Sequence, residues 1–143
     1  DGEYPGDLTR GGSNADFGNF LTLLSEMQTA CKAQSPPLVL CYASPALIPS
    51  GVPAQYRDNP QTYYQWLKEC SDYVDRMHVM TYDYHGAFDN PKVTGVNAPL
   101  MADTDPSSVN TLKATMENYI NNGVDPQKIV LGLAGYGHSY SIS

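Results

Sequence analysis

The sequence predicts an α/β fold with a parallel sheet, and three observations point to it. Runs of strand length, apolar or alternating, recur at residues 38–43, 77–84 and 128–134. Stretches with apolar residues at helical spacing lie between them. Pro, Gly, Asn and Asp punctuate the boundaries. Strands that alternate with helices at this spacing run parallel and are joined by helical crossovers. A closed barrel and an open doubly wound sheet both satisfy that pattern. The Gly-rich phosphate turn of nucleotide-binding sheets is absent, because the glycines from Gly132 to Gly137 precede no helix.

Each element has its own justification. Asp1-Gly2-Glu3 reads as the end of a strand, and Tyr4-Pro5-Gly6 as the loop leaving it. A polar loop follows through Gly11, Gly12, Ser13 and Asn14. Phe17, Phe20, Leu21, Leu24 and Met27 then mark one helix face, with Asn14 or Asp16 as its cap and Pro36-Pro37 as its stop. Residues 38–43 are continuously apolar, the pattern of a strand buried on both faces. A loop rich in Pro and Gly covers residues 45–59. Asn59-Pro60 reads as N-cap and first helical residue. Tyr63, Trp66, Leu67, Cys70 and Val74 form the next helix face, which makes Trp66 a core residue. Residues 77–84 are the third strand, and 86–105 a long loop. Asp105-Pro106 opens a helix carrying Val109, Leu112, Met116, Tyr119 and Ile120, and Gly123 closes it as a left-handed C-cap. Residues 128–134 are the fourth strand.

Composition excludes several classes of function. The net charge is −7, and no cluster of Lys or Arg offers a nucleic-acid footprint. No apolar run has the length of a membrane span, and no basic-then-apolar leader is present. Cys31, Cys41 and Cys70 are an odd set without metal-ligand spacing, so they read as small buried hydrophobes rather than a disulfide framework. The chain holds about three and a half β/α units, whereas a complete eight-unit barrel takes about 250 residues. The expected object is therefore a segment of a larger domain.

Chemistry concentrates at two strand ends. Side chains at i and i+2 share a face, so Asp1 pairs with Glu3, and Met80 with Tyr82. A carboxylate beside a carboxylic acid, faced by a tyrosine and by Asp83, is equipment for acid-catalysed bond cleavage. His78 shares parity with Met80 and Tyr82 and reads as a satisfied interior histidine. No second ligand at metal spacing accompanies it.

These motifs resemble glycoside hydrolase family 18, the chitinases. Asp1-Gly2-Glu3-Tyr4-Pro5-Gly6 resembles the end of that family's Asp-x-x-Asp-x-Asp-x-Glu signature, with Gly2 where a bulky residue is usual. Met80-Thr81-Tyr82-Asp83 followed by His85-Gly86 resembles its Met-x-Tyr-Asp strand. Asn97-Ala98-Pro99-Leu100 resembles its Asn-x-Pro-Leu loop. Gly132-Leu133-Ala134-Gly135-Tyr136-Gly137-His138 resembles the strand that usually ends Tyr-Gly-Arg, with His138 in place of the arginine. The four motifs span the chain in the family's order.

The resemblance implies a segment of a (β/α)8 TIM barrel, roughly strands 4 to 7, with residues 1–143 as a partial catalytic domain truncated at both ends. It implies hydrolysis of β-1,4 links between N-acetylglucosamine units in chitin or its oligosaccharides. Glu3 is then the general acid and Asp1 its proton-sharing neighbour, while Tyr82 and Asp83 steady the sugar's acetamido group. Met80, Tyr4, Tyr136, Ala43, Asn97 and His138 are implied substrate contacts. No metal, cofactor, nucleic acid or membrane is implied. An extracellular location follows from the substrate alone. A chitinase-like lectin and an endo-N-acetylglucosaminidase of the same family are the alternatives. Lectins of this type lack the acid that Glu3 supplies.

Overall fold

The computed structural model describes residues 6–89, 94–102 and 110–141. The elements run α1 (Ala15–Lys32), β1 (Cys41–Pro45), α2 (Ala54–Arg57), α3 (Pro60–Tyr73), β2 (Arg76–Met80), α4 (Leu112–Asn121) and β3 (Ile129–Leu131). The three strands form one parallel sheet in the order β1-β2-β3. Tyr42 pairs with Met77, and Met77 with Ile129.

The helices cover one face of this sheet. Tyr42 and Ser44 on β1, and Met77 and Val79 on β2, are buried. They meet Phe17 and Leu24 of α1, Tyr63, Trp66, Leu67 and Cys70 of α3, and Tyr119 of α4. Most of the residues at helical spacing on three helices build this core, but Met27 and Ile120, expected on the same faces, are 41% and 43% exposed. Trp66 is 4% exposed, and its indole N–H donates to the Phe17 carbonyl at 3.0 Å, which ties α3 to α1.

The helix ends follow local chemistry. Pro60 opens α3, where its missing N–H costs nothing. The Thr111 hydroxyl accepts from the Ala114 amide at 3.1 Å and caps α4. Gly123 has φ 94, the left-handed turn that closes α4. For α1, Asn14 occupies the cap position without a side-chain bond. Asp16, in the first turn, instead ties down the preceding loop, accepting from the Ser13 amide at 2.9 Å and the Gly6 amide at 3.2 Å.

Several expectations change. Residues 38–43 do not form a strand buried on both faces. Leu38 and Val39 are 58% and 69% exposed, and β1 starts at Cys41. Within it, Cys41 is exposed and Tyr42 buried, because only one face of the sheet meets helices. Cys41 is thus a surface thiol, Cys31 is half-buried, and only Cys70 is fully buried. His78 is exposed for the same reason, since it lies on the face opposite Met77 and Val79. No second layer covers that face among the described residues. The 45–59 loop contains the short helix α2, whose one turn carries too few residues to show a period. The helix α4 begins at Leu112, and Asp105-Pro106, the expected start, lies outside the described residues. The expected first strand lies outside the described residues.

Candidate active site

Parallel strands bring their C-terminal ends to one rim, and the loops leaving that rim build the site. Pro45 at the end of β1 is in register with Met80 at the end of β2. A cleft of about 690 Å³ opens there, lined by Pro45, Met80, Tyr82, Asp83, Arg10 and Phe88 among others. One wall is the loop after β1. Asp7, Thr9 and Arg10, from the segment that follows Tyr4-Pro5-Gly6, extend that wall, and the Leu8 amide ties the segment to the Gly51 carbonyl at 3.1 Å.

Asp83 organises the chemistry. It has φ 58, a left-handed conformation that Asp tolerates better than most side chains. Its amide donates to the Asn97 side-chain oxygen at 2.9 Å. The Tyr136 hydroxyl donates to its Oδ1 at 2.7 Å, and His138 Nε2 lies 2.9 Å from the same oxygen. Asn97 also donates to the Tyr136 carbonyl at 3.2 Å. Tyr136 and His138, 53 and 55 positions further along the chain, thus close on one carboxylate. The hydrogen bond to Asp83 is the main cause that pushes the Tyr136 phenol up to about 12. The phenol therefore stays a donor across the neutral range. The Tyr82 ring stands edge-on to the Tyr136 ring, with centroids 6.1 Å apart.

Of the residues expected in the site, Met80, Tyr82 and Asp83 share the cleft, and Tyr136, Asn97 and His138 join through Asp83. Ala43 lies on β1 beside His78, two positions before the rim, and is not among the residues lining the cleft. Asp1, Glu3 and Tyr4 lie outside the described residues. Sequence reasoning missed Phe88, Asp7 and Arg10. Phe88 is 63% exposed on the cleft rim. Its ring lies over Gly86, where a Cβ would stand 2.5 Å away. An aromatic two residues beyond the His85-Gly86 turn is a signal that could have flagged it. Asp7 is 5% exposed and accepts from the Thr9 amide and hydroxyl at 2.8 and 2.6 Å. The Thr9 hydroxyl leads in holding its carboxyl below the ordinary range. Among the described residues no group of His, Cys, Asp and Glu is arranged to hold a metal ion.

Comparison with known proteins identifies the family. A "Probable chitinase 2" of Drosophila melanogaster is 33% identical over 141 residues, covering 98% of this chain and 25% of that protein. A family 18 N-acetylglucosaminidase from Paenibacillus barengoltzii superimposes with a TM-score of 0.70 at 27% identity, over 91% of this chain and 36% of the other. A catalytic domain of Ostrinia furnacalis Group II chitinase, solved as a mutant bound to an N-acetylglucosamine oligomer, gives a TM-score of 0.61 at 27% identity. That match covers 84% of this chain and 28% of the other. The chain thus spans about a quarter to a third of the length of these relatives. The family described as "Glycosyl hydrolases family 18" matches residues 1–143, the whole length. The chain belongs to glycosyl hydrolase family 18, a family of TIM-barrel glycosidases.

Proposed function

We propose that this chain supplies the central part of a chitinase active site, corresponding to strands 4 to 7 of the barrel. The substrate is a β-1,4-linked N-acetylglucosamine chain. The observation that carries this reading is the strand end Met80-Thr81-Tyr82-Asp83, which opens into a cleft with its carboxylate held by Tyr136 and His138. Glu3 protonates the glycosidic oxygen. The acetamido carbonyl of the cleaved sugar attacks the anomeric carbon, so the stereochemistry is retained without an enzyme nucleophile. Most glycosidases use a pair of carboxylates, and family 18 is a substrate-assisted exception to that rule. Asp1 sits two residues from Glu3. Two carboxylates that close do not both ionise readily, so Asp1 keeps Glu3 protonated near neutrality. Tyr82 donates to the acetamido oxygen, and Asp83 orients the acetamido nitrogen. Met80 gives the sugar an apolar floor. Tyr4 and Asn97 are further contacts in this reading. The polymer is extracellular, so the protein acts outside the cell.

The test is Glu3→Gln in the full-length natural protein. Turnover of chito-oligosaccharides should fall by about 10² to 10⁴-fold, the contribution of a positioned general acid. Oligosaccharide binding should persist, because only the proton donor is lost. Unimpaired hydrolysis by the Gln variant would show that the acid lies elsewhere. Binding without turnover by the unaltered protein would instead identify a lectin.

A further inference from the structure

Tyr82 and Asp83 are carried by a junction that neither residue makes. Val79 is the hub of that junction. Its carbonyl accepts from the Thr81 amide at 2.9 Å and from the Gly132 amide, just beyond the end of β3, at 2.8 Å. The Thr81 hydroxyl donates to the Gly132 carbonyl at 2.6 Å, and Thr81 is fully buried. The Tyr82 amide turns back onto the Met80 carbonyl at 2.9 Å. The chain therefore leaves β2 through two successive tight turns, and Asp83 follows with φ 58. Gly132 fits because it has no side chain. A Cβ there would stand 2.6 Å from the Val79 carbonyl oxygen and 2.9 Å from the edge of the Tyr82 ring.

We infer that Thr81 and Gly132 form a latch between β2 and β3 that sets the height and aim of Tyr82 and Asp83 over the cleft. They are positioning residues, acting through the two side chains above them. The inference rests on the proposed role of Tyr82 and Asp83 in orienting the acetamido group. Orientation of a nucleophile acts on the chemical step more than on binding. A bland alternative exists: Thr81 fills space under the turn, and any side chain of its shape serves.

The two alternatives order the variants oppositely. Thr81→Val keeps the shape and loses the hydroxyl, whereas Thr81→Ser keeps the hydroxyl and loses a methyl. In the full-length natural protein, Thr81→Val should lower kcat by about 10 to 100-fold with KM within about 3-fold, the signature of misplacement. Thr81→Ser should stay within about 3-fold of the unaltered kcat on the same reasoning. Gly132→Ala, whose Cβ would press on the Val79 carbonyl oxygen and on the Tyr82 ring, should displace the latch and behave like the valine variant. Should the valine variant fail to fold, Thr81→Ser decides the matter, because a Thr81 that only fills space would lose kcat with its methyl. Fluorotyrosine placed at position 82 gives a readout independent of turnover. Its ¹⁹F resonance should shift or broaden in Thr81→Val and Gly132→Ala and coincide with the unaltered protein in Thr81→Ser. A valine variant with unaltered kcat and resonance overturns the latch. The expected ¹⁹F pattern in a protein without hydrolysis keeps the latch and sinks the chitinase reading.

Discussion

Asp83 collects its partners from two other parts of the chain, around Asn97 and around Tyr136 and His138, and that has a measurable electrostatic consequence. The bond it accepts from Tyr136 raises that phenol from an ordinary value of 10.0 to about 12. A raised pKa means that the folded state holds its proton more tightly than the unfolded state. The contribution to stability is therefore complete below pH 10 and disappears as pH rises through about 12. Tyr136 is half exposed, so the effect on global stability is small and the titration itself is the better observable. Replacing Asp83 by Asn removes the charge and weakens the acceptor. Alkaline difference spectroscopy should then show one phenol moving back toward the ordinary range, while Tyr42, Tyr64, Tyr84 and Tyr119, raised mainly by burial, stay high. An unchanged titration in Asp83→Asn would mean that the Tyr136 hydroxyl bonds elsewhere in solution. None of this network is readable in the sequence. Resemblance singles out Asp83, Tyr136 and His138 one by one, but a contact across 53 or 55 residues leaves no local pattern.

The elements are more legible, because each depends on neighbours in sequence. Helical spacing of Tyr63, Trp66, Leu67 and Cys70, with Pro60 at the start, identifies α3 almost to its ends. Apolar alternation places strand β2. Where local pattern misleads, a tertiary fact intervenes. Leu38 and Val39 have strand-like side chains but no partner strand among the described residues, so β1 begins at Cys41. Thr111 holds the cap of α4, while Asp105, the start that the sequence offers, lies outside the described residues. That cap gives a test at this scale. Thr111 is 4% exposed, and its hydroxyl satisfies the otherwise orphaned Ala114 amide. Thr111→Ala in the full-length protein should destabilise it by about 1 kcal/mol in urea unfolding, and Thr111→Ser by a few tenths. Hydrogen exchange at the Ala114 amide should accelerate in the alanine variant. Equal exchange in all three proteins would show that the cap carries no weight. The sheet-end latch escapes the sequence for a different reason. Gly132 reads as one glycine in a Gly-rich run, and only the approach of Val79 and Tyr82 shows why a side chain is excluded.

At the scale of the molecule, the question is what covers the other face of the sheet. The helices cover Tyr42, Met77 and Val79, whereas Cys41, His78 and Val130 remain exposed. In a closed barrel that face is the packed interior. The outer strands of the sheet described here are β1 and β3, and an uncovered edge offers unpaired N–H and C=O groups to any other strand. Apolar side chains lie beside both edges. Val39 is 69% exposed next to β1, and Leu131 and Leu133 are 39% and 78% exposed on and after β3. Apolar patches next to open edges drive association. The 143 residues produced alone should therefore elute as oligomers or aggregate, even though the helix-covered face has a continuous core. They should also fail to hydrolyse a fluorogenic chito-oligosaccharide. The relatives are about two and a half to four times longer, so a chain of this length supplies only part of such a cleft. Sizing by chromatography, thermal melting and the fluorogenic assay on the same preparation decide it. A monodisperse monomer that melts cooperatively and turns over substrate would show that the exposed face and the two edges need no further cover.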